Sequence, residues 1–259
     1  MPLRIAFDLD GVFADMDAEL RRHAELLFGR EVAATPAAAQ PTADAAVPDV
    51  DSETGETDAA PAPFGVGLTR RQASRLWRHV ESIDGFWESL KEIENGSLAR
   101  LAAVAEERRW EVIFLTKRPP SAGATAQVQS QRWLAAHGFP FPSVFVVQGS
   151  RGRIAAALAL DVVVDDRPEN CLDVIADSRA RAILVSRDDK QSVAAAERLG
   201  VATVRSVGEC LDILTGAGSD DRPGVVTRLK QFLGLDGDDA TRPRDREPRR
   251  SRSRTPSPS

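Results

Sequence analysis

The sequence predicts an α/β protein built on a doubly wound parallel sheet. Short apolar runs alternate with amphipathic stretches over most of the chain, the pattern of strands joined by crossover helices. Several of those runs end in acidic or hydroxyl residues, as expected where the carboxyl ends of parallel strands line one rim. A long insert of different composition separates the first run from the second.

Residues 3–8 (LRIAFD) form an apolar run ending in an acid and read as a buried strand. Residues 15–29 place Leu20, Ala24 and Leu27 at helical spacing, with Asp15 near the start as a cap. Residues 31–63 hold eleven Ala, five Pro and seven acidic residues, with no Lys, Arg or aromatic residue. Such a stretch buries too little apolar surface to offset the entropy of ordering it, so it reads as a disordered loop. Five prolines disfavour the competing Ala-rich helix.

Order resumes near Phe64. Residues 69–81 read as a helix capped by Thr69, with Leu76, Trp77 and Val80 on one side, and 85–93 (GFWESLKEI) as a short aromatic segment. Helix 97–109 precedes strand 111–115 (EVIFL), and helix 123–138 leads to strand 143–147 (SVFVV). Helix 152–159 leads to strand 161–165 (DVVVD). Strand 181–185 (RAILV), helix 189–199, strand 201–204 and helix 207–215 complete the alternation. A C-terminal helix at 216–234 carries Val226, Leu229, Phe232 and Leu233 on one side, and 235–259 read as a disordered Arg/Ser/Pro-rich tail.

Composition narrows the function classes. The 259 residues are 42% hydrophobic, enough for one sizeable core or a core plus a small cap. Net charge is −5, so the chain as a whole does not read as a nucleic-acid scavenger. The charge is uneven: residues 241–259 carry seven Arg against Asp245 and Glu247, and the remainder is correspondingly more acidic. Cys171 and Cys210 are the only cysteines and lack metal-ligand spacing, which argues against a disulfide framework and a structural zinc site. His23, His79 and His137 are scattered. No segment resembles a signal peptide or approaches the ~18 apolar residues of a membrane span, so the expectation is a cytoplasmic protein without a membrane partner.

Four elements carry the candidate chemistry. Asp8-Leu9-Asp10-Gly11-Val12 stands at the carboxyl end of the first strand. Asp8 can attack phosphorus to form an aspartyl-phosphate, Asp10 can act as general acid and base, and Gly11 lets the backbone approach a phosphate. Asp165 and Asp166 end the VVV strand; with Asp8 they would form an oxygen-rich site suited to Mg²⁺. Thr116, Lys117 and Arg118 follow strand 111–115, a hydroxyl beside two cations suited to a phosphate oxygen. Arg151 stands at the start of a helix, able to meet both the phosphate and the Asp8 carboxylate. Each element alone has a plainer reading as a turn, a cap or a solvated basic loop. Their joint placement at strand ends, which a parallel sheet aligns along one edge, favours a site.

Together these residues resemble the haloacid dehalogenase (HAD) superfamily of phosphohydrolases. Its first motif, D-x-D-G-[TV]-x-x-D, is matched throughout by Asp8 to Asp15, its second by Thr116, and its fourth by Asp165 and Asp166. The third motif is normally a Lys before a helix; here Arg151 stands there, and Lys117 is the alternative source of that cation. The resemblance covers about 3–30 and 85–205 and implies a HAD-like Rossmannoid core. Members with Asp at the position of Asp10 are typically phosphatases, so dehalogenation and ion pumping are disfavoured.

The 100 residues between Asp15 and Thr116 are too many for one crossover helix. With 1–15 and 97–215 as core, residues 16–96 resemble the small helical cap that the superfamily inserts after its first strand, with 31–63 as an excursion within it. Phe86 and Trp87 could close over substrate, or simply pack where cap meets core. The stretch 85–119 is similar to 5′-deoxyribonucleotidases, with Ile93 or Glu94 where Pro is usual, and DDRPEN looks like the fourth motif of polynucleotide 3′-phosphatases.

The resemblance implies a Mg²⁺-dependent phosphomonoesterase acting on a nucleotide or another small phosphorylated metabolite. Asp8, Asp10, Thr116 and Arg151 would be catalytic. Gly11, Thr116, Lys117, Arg118, Arg151 and Trp87 would bind substrate, and Asp8, Asp10, Asp165 and Asp166 would serve the metal. The competing reading is a non-catalytic HAD-fold interaction protein using its acidic loop and basic tail, the tail binding nucleic acid weakly. Oligomeric state is open.

Deleting residues 236–259 is expected to leave steady-state turnover of a small phosphate ester within about twofold of the full chain.

Overall fold

The computed structural model describes residues 2–30, 67–187, 196 and 198–216. The expectations for the 31–63 loop, for most of helix 189–199, for the 216–234 helix beyond Gly216 and for the tail lie outside the described residues.

The described elements, in chain order, are β1 (Arg4–Asp8), α1 (Met16–Phe28), α2 (Arg70–Glu81), a 3-10 turn (Phe86–Glu88), α3 (Ser97–Arg108), β2 (Glu111–Thr116), α4 (Ala126–Ala136), β3 (Ser143–Val146), α5 (Arg151–Ala157), β4 (Val162–Asp165), α6 (Pro168–Asp177), β5 (Arg181–Val185), β6 (Ala202–Val204) and α7 (Val207–Thr215). The six strands form one sheet in the order β3-β2-β1-β4-β5-β6, every pairing parallel. The predicted fold class is therefore the observed one.

The strands are short because each needs only to cross the core, and they are apolar on both faces because helices cover both. Side chains alternate between two clusters. Ile5 and Phe7 of β1, Val162 and Val164 of β4, and Ile183 and Val185 of β5 point into one. Ala6, Val163, Ala182 and Leu184 point into the other, against Ala155, Cys171 and Val174 of α5 and α6. Phe114 is fully buried in the first, edge-on to Phe13 and Phe139.

The helices start where side chains can satisfy their first N–H groups. Asp15 caps α1, Thr125 caps α4, Ser150 caps α5 and Ser206 caps α7, each accepting from a backbone N–H. Thr69 and Gln72 cap α2 reciprocally, as the sequence suggested. Helix α5 starts one residue earlier than predicted, which places Arg151 inside its first turn. Helix α6, which Asp166-Arg167-Pro168 suggested without fixing its bounds, starts with Pro168 in its first turn, where the missing N–H costs nothing.

Helices α1 and α2 pack on each other and place Leu20, Ala24, Leu76 and Val80 in the same apolar cluster as Phe7 and Phe114. The described part of the insert therefore shares its core with the sheet. His23 links the two helices through a 3.0 Å contact with His79. No helix among the described residues is long and apolar enough to cross a membrane.

Candidate active site

Strand order fixes where a site can form. From β1 the chain builds outward through β2 and β3 on one side and β4, β5 and β6 on the other, so the order reverses between β1 and its neighbours. Such a switch point opens a crevice at the carboxyl ends of the strands. Asp8 ends β1, Thr116 ends β2 and Asp165 ends β4. Phe7 pairs with Val164, so Asp8 and Asp165 stand side by side one step further along, roughly 4.8 Å apart in backbone.

After Asp8 the chain folds into a tight loop. Phe13 N and Ala14 N both donate to Leu9 O, and Gly11 N donates to Ala14 O at 3.0 Å. Gly11 has φ +80, a conformation other residues adopt at a cost. A Cβ there would lie 1.9 Å from Asp166 Oδ2, so the absence of a side chain lets Asp166 close against the loop. Val12 and Phe13 anchor the loop in the core. Asp15 caps α1, its Oδ1 accepting from Ala18 N at 3.0 Å. Arg187, just past β5, donates to Gly11 O at 2.5 Å and Val12 O at 3.0 Å and pairs with Glu94. Glu94 in turn accepts from Val207 N and Gly208 N at the start of α7.

Arg151 reaches back into the crevice. Its Nη2 donates to Asp8 Oδ1 at 2.6 Å, and its Nε lies 3.7 Å from Asp165 Oδ2. Both partners are buried, so the pair replaces water that neither can reach. Position 152 allows this approach. A Cβ on Gly152 would meet Asp173 O at 2.1 Å, so α5 and α6 touch backbone to backbone there. Asp173 also accepts from Gly152 N and from the Ser150 hydroxyl, tying the start of α5 to α6.

The paired acids after β4 divide their work. Asp165 accepts from Arg167 N at 2.9 Å, and both its oxygens accept from the Asn170 side chain at 3.0 Å. These bonds fix its carboxylate and the first turn of α6. Asp166 faces Gly11 instead.

Burial shifts these acids upward. Burial pushes the Asp8 carboxyl well above the ordinary value; Asp165, Asp166 and Asp10 add to the push, and Arg151 opposes it. Asp166 is raised well above the ordinary value by burial and then by Asp165 and Asp17, against Arg167. Asp165 is raised by burial, with Arg151 and the bonds from Asn170 and Arg167 opposing. The ordinary value is 3.8, so these groups bind protons more tightly in the folded chain than in the unfolded one. Their protonation stabilises the fold fully below that value, and the gain is lost as pH rises through the raised values.

Thr116 and Arg118 gather on Asp10. The Thr116 hydroxyl donates to Asp10 Oδ2 at 2.9 Å. Arg118 spans both oxygens, with Nη2 to Oδ1 at 2.7 Å and Nε to Oδ2 at 3.0 Å. Thr116 is fully buried and Arg118 is 1% exposed, so in this conformation both support Asp10 rather than face solvent. Lys117 is exposed. Trp87, expected to contact substrate, is fully buried: its indole N–H donates to Pro119 O at 3.2 Å, and its ring lies under Arg118.

The structure thus brings Asp8, Asp10, Gly11, Thr116, Arg151, Asp165 and Asp166 together and places Trp87 beneath them in the core. Sequence reasoning missed Arg187, Glu94, Asn170 and Asp173. Position was the available signal for Arg187, which follows a β-strand on the same rim, and for Asn170, five residues past Asp165 in the DDRPEN stretch; Glu94 and Asp173 meet partners far away in sequence. Cys171 and Cys210 are free and buried, and burial pushes both thiols up, away from nucleophilic chemistry.

Among the described residues, no three His, Cys, Asp or Glu side chains converge as a ready-made metal cage. The donor set still suits a hard cation, because Mg²⁺ takes one or two carboxylates and completes its octahedron with water and phosphate. Four crowded carboxylates (Asp8, Asp10, Asp165 and Asp166) face two buried guanidiniums, those of Arg118 and Arg151.

No family model and no curated protein matches the chain in sequence. Among solved structures, a hydrolase from Pseudomonas syringae is 15% identical with a TM-score of 0.48, over 84% of this chain and 100% of that one. A HAD family hydrolase from Deinococcus radiodurans R1, solved with bound phosphate and sodium, is 16% identical with a TM-score of 0.48, over 84% of this chain and 97% of that one. Likeness this remote carries no argument about chemistry, which rests on the geometry above.

Replacing Gly11 by Ala is expected to strain the loop by about 1 kcal/mol and to displace Asp166. Urea unfolding of the variant would show the lost stability as a lowered midpoint.

Proposed function

We propose that the chain is a phosphomonoester hydrolase of HAD type, working through an aspartyl-phosphate on Asp8 with Mg²⁺ as cofactor. The observation that carries this reading is the meeting of Asp8 with Arg151 and of Asp10 with Thr116 at one switch point, beside the acids that end β4. A nucleophilic carboxylate, a second carboxylate two residues on and a buried guanidinium are the parts an in-line phosphoryl transfer needs.

In the first half-reaction an Asp8 oxygen attacks phosphorus as the ester P–O bond breaks, and Asp10 gives its proton to the leaving alkoxide. In the second, Asp10 takes a proton from water as that water attacks phosphorus and the Asp8–phosphorus bond breaks, returning both carboxyls to their starting state. Arg151 orients Asp8 and neutralises charge on the phosphoryl oxygens. Lys117 and the Gly11 backbone would meet the phosphate, while Thr116 holds Asp10. Asp8 and Asp166 are the carboxylates best placed to hold Mg²⁺, with Asp165 keeping its neighbour in position and Asp10 at the edge. Bound there, the ion would supply charge neutralisation for the acids and the phosphoryl group. With Asp10 carrying the proton it gives up, three carboxylates and the phosphoryl group face two guanidiniums, and a divalent cation is the natural complement.

The substrate class proposed is a nucleotide or similar small phosphorylated metabolite, with residues 16–96 as the cap that selects it. The support is the resemblance of residues 85–119 to the 5′-deoxyribonucleotidase pattern, from which they depart at Ile93 or Glu94. No observation among the described residues favours a non-catalytic role.

A panel of phosphate esters with Mg²⁺, repeated with EDTA, is expected to show metal-dependent release of phosphate. Asp8→Asn is expected to abolish it while circular dichroism stays unchanged; full activity in that variant would reject the nucleophile.

Asp166→Asn removes one of the mutually repelling acids. Without metal it is expected to melt higher than the parent at pH 7 and to lose less stability as pH rises from 4. The parent should gain about 5–10 °C in Tm with saturating Mg²⁺, and the variant should gain little.

A further inference from the structure

Arg118 is charged, 1% exposed and unused by the steps above. Burying a guanidinium is costly unless its donors are met. Here they are: Nε and Nη2 span the two oxygens of Asp10, Nη1 donates to the Ser130 hydroxyl at 2.8 Å, and the guanidinium carbon lies 4.9 Å from the centre of the Trp87 ring. Each partner is itself fixed. Ser130 donates to Ala126 O within α4, and Trp87 donates to Pro119 O and, through its backbone N–H, to Gln129 Oε1. Gln129 in turn donates to Ala122 O, Ala124 O and the Ser121 hydroxyl.

We infer that Arg118 is a positioning residue for Asp10: its fork holds the Asp10 carboxylate in the one orientation that passes a proton to the leaving oxygen and takes one from water. This rests on the hydrolase reading above and goes beyond it in assigning Arg118 to proton transfer rather than to phosphate binding. An ionised carboxylate offers about four lone-pair sites. Arg118 and Thr116 supply three donors, which leaves about one site for the travelling proton. The fork is planar and Arg stays charged throughout, so it constrains the carboxylate plane without exchanging protons itself. Lysine in its place would keep the charge and lose the second point of attachment.

Leaving groups separate this role from its rivals. An alkyl phosphate needs a proton delivered to its alkoxide, whereas p-nitrophenyl phosphate releases a stable phenolate without one. With Mg²⁺ present, Arg118→Met is expected to lower kcat on an alkyl phosphate by about 10²-fold, with a far smaller loss on p-nitrophenyl phosphate and KM nearly constant on both. Arg118→Lys should fall between parent and Arg118→Met on the alkyl ester. A rise in KM with kcat unchanged would make Arg118 a phosphate ligand and overturn the inference. Equal loss of kcat on both esters would make it structural and overturn it equally. Should Arg118→Met fail to fold, Ser130→Ala, which removes one anchor of the guanidinium, is expected to show the same preferential loss in smaller measure; an equal loss on both esters would again count against the inference. A parent protein that turns over neither ester would instead reject the hydrolase reading itself.

Discussion

Like charges held together at the middle of a sheet are the constraint on which the rest of this structure depends. The register sets Asp8 of β1 beside Asp165 of β4, and Asp166 and Asp10 crowd against them. Burial makes the crowding expensive, because little water is left to screen it. Arg151 and Arg118 offset part of the cost from opposite sides, one on Asp8 and one on Asp10. Much of the surrounding architecture serves to deliver those two guanidiniums. Ser150 and Asp173 fix the start of α5 for Arg151, while Ser130 and Trp87 hold Arg118.

The arrangement also explains why so short a strand as β1 can carry a site. Its five residues are flanked on both sides by parallel partners, so its backbone has no freedom to shift. The loop that follows is held separately. Arg187 takes the carbonyls of Gly11 and Val12, Phe13 O accepts from Ile93 N, and Asp15 N donates to Lys91 O. A rigid strand end and an independently clamped loop together set the spacing between Asp8 and Asp10.

Much of this was legible in the sequence, because strands buried on both faces produce short apolar runs and strand ends fall where those runs stop. Asp8, Thr116 and Asp165 were placed at strand ends by that rule alone, and the caps at Asp15 and Thr69 followed from residue type. The division of labour was not legible. Arg118 and Lys117 are adjacent cations in the sequence, yet one is buried on Asp10 and the other exposed, and only the path of the chain after β2 decides between them. Trp87 shows the same limit: an aromatic near a strand end can line a crevice or fill the core beneath it. Helix α6 was legible only as a helix that Asp166-Arg167-Pro168 could cap, without bounds. Long-range partners such as Asp173 for Ser150 and Glu94 for α7 leave no local trace.

The contact at Gly152 has a mechanical consequence. Helix α5 carries Arg151 at its start, and helix α6 carries Asn170 and the Arg167 N–H that grip Asp165. Because a Cβ at Gly152 would overlap the Asp173 carbonyl, the two helices touch there, and the Asp173 carboxylate ties them again through Gly152 N and the Ser150 hydroxyl. The guanidinium that meets Asp8 and the bonds that grip Asp165 therefore share one support, and a larger residue at position 152 would disturb both at once.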